Sequence, residues 1–303
     1  MSLFEKEVSD NYNEFASRMS NLRVLQKVAK DSFSKEMSAC IESAESLKGS
    51  QLGDDFPISA QNMTYYCLET GEARFYGFSK ITIEEQKMRL FEHKNKQYQW
   101  LLAEAYEIYA EYIETIYACA GYCDPSLWLM ADFGNIPYSE NIKHDMEFYK
   151  QQANKKKDKP KSILTQFRRV FPKIESIERN NAHKLNIQLS ISLIKNLRHI
   201  IVHEGGTVND KEMFIQKVLK ECSLYNPKSP NENHLAYIDS YFGDKEYENL
   251  ILLLEKTHTT EFPLHMFTDR LGNLMELLVA HASLITTELH KHITKHLRVI
   301  PNA

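Results

Sequence analysis

The stretch ERNNAHKLNIQLSISLIKNLRHIIVHEGG, residues 178–206, decides the fold class of this 303-residue chain. Apolar and polar residues alternate from Leu185 to Leu193, which is the period of a strand. An apolar residue also recurs at every fourth position from Leu185 to Ile201, which is typical of one face of a helix. The run lasts about 25 residues, far longer than a strand, so it is predicted to be a helix that ends at the two glycines.

The chain as a whole has few residues that break helices. Its ten glycines and nine prolines favour long helices over a barrel or sandwich of many short strands. Aromatic residues on both sides of the turn-like sequence Glu69-Thr70-Gly71-Glu72 predict one small β-hairpin within residues 62–83. The fold class is therefore predicted to be mainly all-α, with a small hairpin in the N-terminal part.

Apolar periodicity and the positions of glycine and proline also predict the order of the elements. Loops are expected at residues 49–57 and 123–140. Helices are expected at residues 2–48, 83–121, 162–170, 178–206, 245–256 and 265–298, with a further short helix after Thr207.

Compartment is predicted from what the sequence lacks. The N-terminus, MSLFEKEVSD, has early acidic residues and no apolar core, so it is not expected to be a secretory signal. No apolar run approaches the roughly 18 residues of a membrane span, and the longest candidate, Leu277 to Ile285, is interrupted by His281 and Ser283. Five cysteines at scattered positions are expected to be reduced. These observations predict a cytoplasmic protein with no membrane partner.

Positive charge is concentrated in one strip. Residues 150–173 contain nine lysines and arginines against one acidic residue, although the net charge of the whole chain is −4. Such a strip can bind phosphates along an edge of the protein, and a solvated loop of lysines is the equally weighted alternative. The residues predicted to contact RNA are Lys155, Lys156, Lys157, Arg168 and Arg169.

Arg198 and His203 lie in the last turns before the two glycines and form the predicted catalytic pair. A histidine can accept and donate a proton near neutral pH, and an arginine can hold a phosphate through two hydrogen bonds. Their five-residue spacing places the two side chains about 140° apart on an ideal helix. Convergence on one phosphate therefore requires a loosened last turn, or a second copy of the helix across a symmetric interface.

The order of residues around this pair resembles the signature of HEPN domains (higher eukaryotes and prokaryotes nucleotide-binding). The matching pattern is an aliphatic helix, Asn196-Leu197-Arg198, one polar residue, three aliphatic residues, and His203 before the glycines. Members of that superfamily are helical bundles, usually dimeric, and many are metal-independent ribonucleases of toxin–antitoxin and antiphage systems. The resemblance implies a HEPN-like bundle at residues 91–303. Residues 1–90 form an N-terminal helical segment plus the hairpin, with no assigned role.

The same resemblance implies an endoribonuclease that uses no metal and no other cofactor. The ribose 2′-hydroxyl would attack the phosphate, His203 would transfer protons, and Arg198 would stabilise charge on the phosphoryl oxygens. The implied partners are RNA, a second copy of the chain, and an antitoxin or regulatory protein. The alternative is a non-catalytic helical module that binds a nucleotide or a partner protein and uses the same helix to dimerise.

Residues near the pair are further candidates. His199 follows the arginine directly and is predicted to help bind substrate, with exposure to solvent as the alternative. Asn196 and Glu204 are candidates for orienting the pair, although helix capping and surface exposure explain both better. Glu104 and Glu107 could reach the site, but an exposed helix face is the favoured explanation for them.

Other motifs are weighed and set aside. A set of tyrosines at helical spacing could stack bases, but a core position is favoured. Three histidines near the C-terminus lack a nearby acid or cysteine to complete a metal site, so no metal site is predicted. The sequence has no glycine-rich phosphate loop, zinc-protease motif or hydrolase elbow, which excludes the common members of those classes. These tyrosines are Tyr106, Tyr109, Tyr112 and Tyr117, and the histidines are His290, His292 and His296.

Overall fold

The structure, a computed structural model, describes residues 3–47, 57–134, 144–258 and 266–297. It is about 70% helical, with small antiparallel strand pairs as its β-structure in these ranges, so the mainly all-α prediction is confirmed. None of the helices in this part of the chain is long and apolar enough to cross a membrane.

Long and short helices follow one another along the chain, and the strands lie in its N-terminal third and near its C-terminus. The helices are α1 (Leu3–Leu47), α2 (Ile83–Cys123), α3 (Met146–Lys155), α4 (Lys161–Val170), α5 (Pro172–Arg179), α6 (Ile187–His203), α7 (Lys211–Glu221), α8 (Glu232–Asp239) and α9 (Arg270–Leu297). The strands are β1 (Ser59–Tyr66), β2 (Ala73–Ile81), β3 (Lys256–His258) and β4 (Met266–Thr268). Short 3₁₀ turns lie at Pro125–Leu127, Met130–Phe133 and Lys245–Tyr247.

The chain divides into two compact units. One comprises Val24–Tyr98, and the other comprises Met1–Arg23 together with Gln99–Ala303. The division into residues 1–90 and 91–303 remains a prediction from the sequence. All of the candidate site residues belong to the larger unit, which is therefore described in more detail.

The smaller unit contains the predicted hairpin. β1 and β2 pair antiparallel with Tyr66 opposite Ala73, and a bulge interrupts the register between Gln61 and Met63. Aromatic side chains from both strands are exposed to solvent. Arg89 of α2 donates hydrogen bonds to Gln61 and Ser79, one on each strand. The hairpin prediction is confirmed.

The core of the larger unit forms around α6, which packs against α5, α7 and α9. The apolar row seen in the sequence is buried from Leu189, in the first turn of α6, onward, and α9 contributes a second buried row. Each such side chain stabilises the fold by about 1.5–3 kcal/mol. The buried members are Leu189, Leu193, Leu197 and Ile201 on α6, and Leu271, Leu274, Leu278 and Ile285 on α9.

The predicted helix at residues 178–206 is wrong over its first part. α5 ends at Arg179 and α6 begins only at Ile187. The side chain of Asn186 accepts a hydrogen bond from the backbone of Leu189, which caps α6 at its N-terminus. The side chain of Asn181 donates to the carbonyl of Leu185, so side chains satisfy this loop instead of helical hydrogen bonds.

The predicted helix at residues 245–256 is also wrong. A single 3₁₀ turn is followed by an extended segment whose backbone bonds to distant parts of the chain. Ile251 donates to the carbonyl of Gly206 at 2.9 Å, and Leu252 donates to the carbonyl of Tyr241 at 2.8 Å. Those hydrogen bonds replace the ones that a helix would make within itself.

Several further differences concern single elements. The helices α3, α5 and α8 were not expected as separate elements, and α8 follows a proline-containing loop. The other predicted helices match α1, α2, α4, α7 and α9 within a few residues, but the predicted start of the last helix at residue 265 is wrong, because Met266–Thr268 pairs with β3 as β4. The predicted loop at residues 49–57 lies outside the described residues except for Pro57, and that at 123–140 is described only to Gly134.

Candidate active site

The C-terminal end of α6 carries the predicted catalytic pair, and it keeps α-helical geometry through His203. The backbone N–H groups of Glu204 and Gly206 both donate to the carbonyl of Ile200, at 2.8 and 3.1 Å. Gly205 and Gly206 have positive φ angles of 72° and 91°, a region that favours glycine. The helix therefore ends where the sequence predicts, and its last turn is not loosened.

Arg198 forms an ion pair with Glu107 of α2, with 2.5 Å between Nη2 and Oε1. The arginine side chain is 28% exposed and the glutamate side chain 50% exposed. Arg198 Nε is buried and has no hydrogen-bond partner among the described residues. Glu107, which the sequence favoured as a simple surface residue, thus contacts the predicted catalytic arginine.

His199 and His203 lie on the same side of α6, with 4.7 Å between their ring centroids. Both side chains are exposed. Partial desolvation, together with the nearby His203 and Lys217, lowers the pKa of His199, while Glu204 opposes that shift. A lowered pKa keeps more of the His199 imidazole in its neutral, proton-accepting form near neutral pH.

A groove of about 300 Å³ runs beside α6 between α2, the segment before α4, and α7. We call it the α6 groove. Arg198 and His199 line the groove. His203 does not line it, but its ring lies beside the ring of His199. The structure therefore connects Arg198 to His203 through His199, which lies between them in the sequence.

The α6 groove has an excess of positive charge. Its lining contains four permanently basic side chains and two carboxylates, those of Glu107 and Glu221. Lys159 forms an ion pair with Glu114 at 2.5 Å. Lys217 makes no ion pair among the described residues. Such a surface attracts phosphate. The basic residues are Lys159, Lys195, Arg198 and Lys217.

Asn196 and Glu204 have different environments. Asn196 is buried, and its side-chain amide donates to Glu221 Oε2 at 3.1 Å. Burial tends to raise the pKa of Glu221, but the hydrogen bond from Asn196 and the charge of Lys195 lower it overall. Glu204 is the exposed residue that follows the last turn of α6. Asn196 thus orients a carboxylate of the α6 groove, and Glu204 contributes a nearby negative charge.

The residues of the basic strip do not form one continuous surface. Lys155 and Lys157 are exposed. Lys156 is largely buried and pairs with Asp132 at 2.6 Å, and Arg169 Nε donates to Gln166. Arg168 turns toward α5, where it contacts Glu178. Two of the five residues predicted to contact RNA therefore have a carboxylate partner within the protein.

Glu178 anchors a buried network that the sequence did not predict. Its two carboxylate oxygens accept hydrogen bonds from Arg168 at 2.7 and 3.0 Å, from Gln188 at 2.8 Å and from His281 at 2.7 Å. The other ring nitrogen of His281 is 2.6 Å from the hydroxyl of Tyr109. Although burial alone would raise it, the hydrogen bonds from His281 and Arg168 lower the pKa of Glu178 to about 2.

The residues that the sequence set aside are buried or hydrogen-bonded wherever the structure describes their side chains. Tyr106, Tyr109, Tyr112 and Tyr117 are buried, as favoured. His290 is 3.3 Å from Ser9, and His292 is 2.7 Å from Asp124. Within the described ranges, no group of three or more histidine, cysteine or acidic side chains is arranged to hold a metal.

Comparison with known proteins gives no relative. The chain matches no protein-family model, no curated protein and no solved structure.

Proposed function

We propose that this protein is a metal-independent endoribonuclease of the HEPN type, with its active site at the C-terminal end of α6. The observation that carries the proposal is the α6 groove, where Arg198, three lysines and His199 line one cavity, with His203 beside His199. Positive charge for a phosphate and imidazoles for proton transfer are the two requirements of RNA cleavage without a metal.

In the proposed reaction, one imidazole of the His199–His203 pair accepts the proton of a ribose 2′-hydroxyl. The 2′-oxygen attacks the adjacent phosphorus while Arg198 stabilises the charge that develops on the phosphoryl oxygens. The bond from phosphorus to the 5′-oxygen of the next nucleotide breaks, and that oxygen takes a proton from the other imidazole. The products carry a 2′,3′-cyclic phosphate and a 5′-hydroxyl.

A homodimer is part of the proposal. Val202, which precedes His203 on the last turn of α6, is 49% exposed, so an apolar side chain lies beside the histidines on the surface. A twofold interface over this surface would bring two α6 ends together and shield them from water. A cytoplasmic toxin or antiphage-defence effector, held by an antitoxin or regulatory protein, is the biological setting that the HEPN resemblance suggests.

The test uses labelled RNA incubated with the purified full-length protein in EDTA. We expect products with 2′,3′-cyclic phosphate ends, and a loss of about 10²–10⁴-fold in rate for His203→Ala and for Arg198→Ala. His183→Ala is the matched control, because His183 is an exposed histidine in the loop before α6. Thermal unfolding of each variant should match that of the wild-type protein. Intact RNA under these conditions, or wild-type cleavage by His203→Ala, contradicts the proposal.

The second candidate is a non-catalytic module that binds nucleotides or a partner protein. The ion pair between Arg198 and Glu107 favours this candidate, because the guanidinium group already donates to a carboxylate and has fewer donors left to stabilise a reacting phosphate. This candidate predicts RNA binding that depends on Arg198, without cleavage in the presence or absence of EDTA.

A further inference from the structure

A second cavity of about 220 Å³ lies next to the α6 groove, between α4, α5, α6 and the C-terminal end of α7. We call it the α4–α6 pocket. The two cavities share Tyr106, Lys195 and Glu221, so they adjoin each other along α6. The volume is that of several water molecules, which is sufficient for a phosphate group and part of the group attached to it.

The lining of the α4–α6 pocket is strongly basic. Four basic side chains face a single carboxylate, that of Glu221. Glu221 already accepts hydrogen bonds from Ser192 and Asn196 and pairs with Lys195 at 3.6 Å, so its charge is largely compensated. Lys161 makes no ion pair within the described part of the chain. The basic residues are Lys161, Arg168, Arg179 and Lys195.

Arg168 is held in place on the wall of this pocket. The buried carboxylate of Glu178 binds its Nε and Nη2, which fixes the plane of the guanidinium. Its Nη1 has no hydrogen-bond partner among the described residues. Gln188, which also donates to Glu178, lines the same pocket. The buried network therefore supports an arginine that retains donors for a ligand.

Tyr106 provides an independent indication of a ligand. Its side chain lines both cavities, and the residue is only 6% exposed. Its hydroxyl makes no hydrogen bond to any described residue. Burial raises the pKa of Tyr106 above its ordinary value, so the hydroxyl remains a donor at neutral pH. The hydroxyl faces these two open cavities, so it can donate a hydrogen bond to an acceptor bound there.

We propose that the α4–α6 pocket binds a phosphate group of a nucleotide, with Tyr106 donating a hydrogen bond and Lys161, Arg168 and Arg179 supplying positive charge. The phosphate belongs either to a free mononucleotide or to the nucleotide of an RNA strand next to the one in the α6 groove. The identification of RNA as the source of the phosphate rests on the proposed nuclease function. The binding of a phosphate group in this pocket does not depend on that function.

The experiment is isothermal titration calorimetry on the full-length protein with three probes. These are inorganic phosphate, adenosine 5′-monophosphate, and a 2′-O-methylated RNA tetranucleotide that cannot be cleaved because it lacks free 2′-hydroxyls. Tyr106→Phe removes only the unpartnered hydroxyl, and Lys161→Ala removes one exposed charge. Lys228→Ala is the matched control, because Lys228 is an exposed lysine outside the basic strip that lines neither cavity.

We expect Tyr106→Phe and Lys161→Ala each to weaken binding about tenfold, and Lys228→Ala to change it less than twofold. Weaker binding of the mononucleotide identifies a site for free nucleotides, and weaker binding of the tetranucleotide alone identifies a site for the RNA strand. Either result supports the phosphate pocket. The proposal is overturned if no probe binds, or if both variants bind every probe as the wild-type protein does.

The same variants separate this proposal from the nuclease proposal. RNA cleavage by the wild-type protein, combined with unchanged binding by Tyr106→Phe and Lys161→Ala, removes the phosphate pocket and leaves the nuclease. Weakened binding by these variants, with no cleavage of RNA by the wild-type protein, leaves the pocket and removes the nuclease.

Discussion

Arg168 and Glu178 form a two-point ion pair in which the carboxylate is fully buried and the guanidinium is partly exposed. The pair joins α4 to α5, and His281 extends it to α9. Breaking a buried pair by removing one charge is far more costly than breaking a surface pair, because the remaining charge stays in a poorly solvated position.

Glu178→Gln should therefore lower the free energy of unfolding by about 3 kcal/mol, measured by urea denaturation at pH 7. Glu175→Gln is the matched control on the same helix. Glu175 is 42% exposed and pairs with Arg179 one turn away, so its loss should cost less than about 1 kcal/mol. Equal unfolding free energies for the two variants would show that the buried network contributes no net stability.

The stability of the protein should depend on Glu178 in acid. The pKa of this carboxyl is about 2 in the folded protein against an ordinary value of 4.5, so the unfolded chain binds the proton more readily. The contribution is fully present above pH 4.5 and is lost as the pH falls toward 2. Urea denaturation at several pH values should show the difference between wild-type protein and Glu178→Gln narrowing below pH 4.5. A difference that stays constant down to pH 3 would contradict this assignment.

Glu107→Gln should strengthen the binding of RNA. The substitution removes the carboxylate that pairs with Arg198 while keeping the size of the side chain. Because this pair is half-exposed, its removal should change stability by less than about 1 kcal/mol and raise RNA affinity by about two- to fivefold. Fluorescence anisotropy with a 2′-O-methylated RNA measures the affinity, and Glu104→Gln on an exposed position of α2 is the control. Weaker binding by Glu107→Gln would instead assign Glu107 the role of positioning Arg198.

Gly206→Ala should destabilise the end of α6. Gly206 has a φ of +91°, and a Cβ there would overlap the buried side-chain amide of Gln99. Strain and overpacking together should lower the free energy of unfolding by about 2–4 kcal/mol. Gly205→Ala is the control, because a Cβ at Gly205 meets open space and its φ of +72° alone is unfavourable. If both variants lose the same stability in thermal and urea denaturation, the contact with Gln99 has no energetic effect.

The elements that the sequence predicted are those stabilised by local patterns. α1, α2 and α9 have long apolar stripes, and the hairpin has aromatic strands around a Gly-containing turn. The error at residues 180–186 has local causes, since Asn181 and Asn186 bond to nearby backbone, whereas the error at residues 245–256 occurs where residues outside the segment supply the hydrogen bonds. Residues 245–256 contain helix-compatible apolar residues, yet Ile251 and Leu252 bond to Gly206 and Tyr241. Gly206 is 45 residues from Ile251, so no short sequence pattern shows that contact.

In the candidate site, too, the sequence predicts local relations between residues but not contacts between distant parts of the chain. The spacing of Arg198, His199 and His203 placed them at the end of one helix, because that relation is local. The contacts of Arg198 with Glu107 and of Glu178 with His281 join residues far apart in the chain, so no local motif shows them. Tyr106 has the pattern of an ordinary core residue in the sequence, and its missing hydrogen-bond partner is evident only from its surroundings.

The backbone around Gly206 has a practical consequence for any attempt to isolate the site. Gly206 accepts a hydrogen bond from Ile251, whose own carbonyl accepts one from Gln99. Three stretches of chain, about 150 residues apart at their extremes, thus meet where α6 ends. A peptide or truncated domain containing only α6 and its neighbours in sequence would lose this junction, so studies of the isolated motif require at least residues 99–255 in one polypeptide.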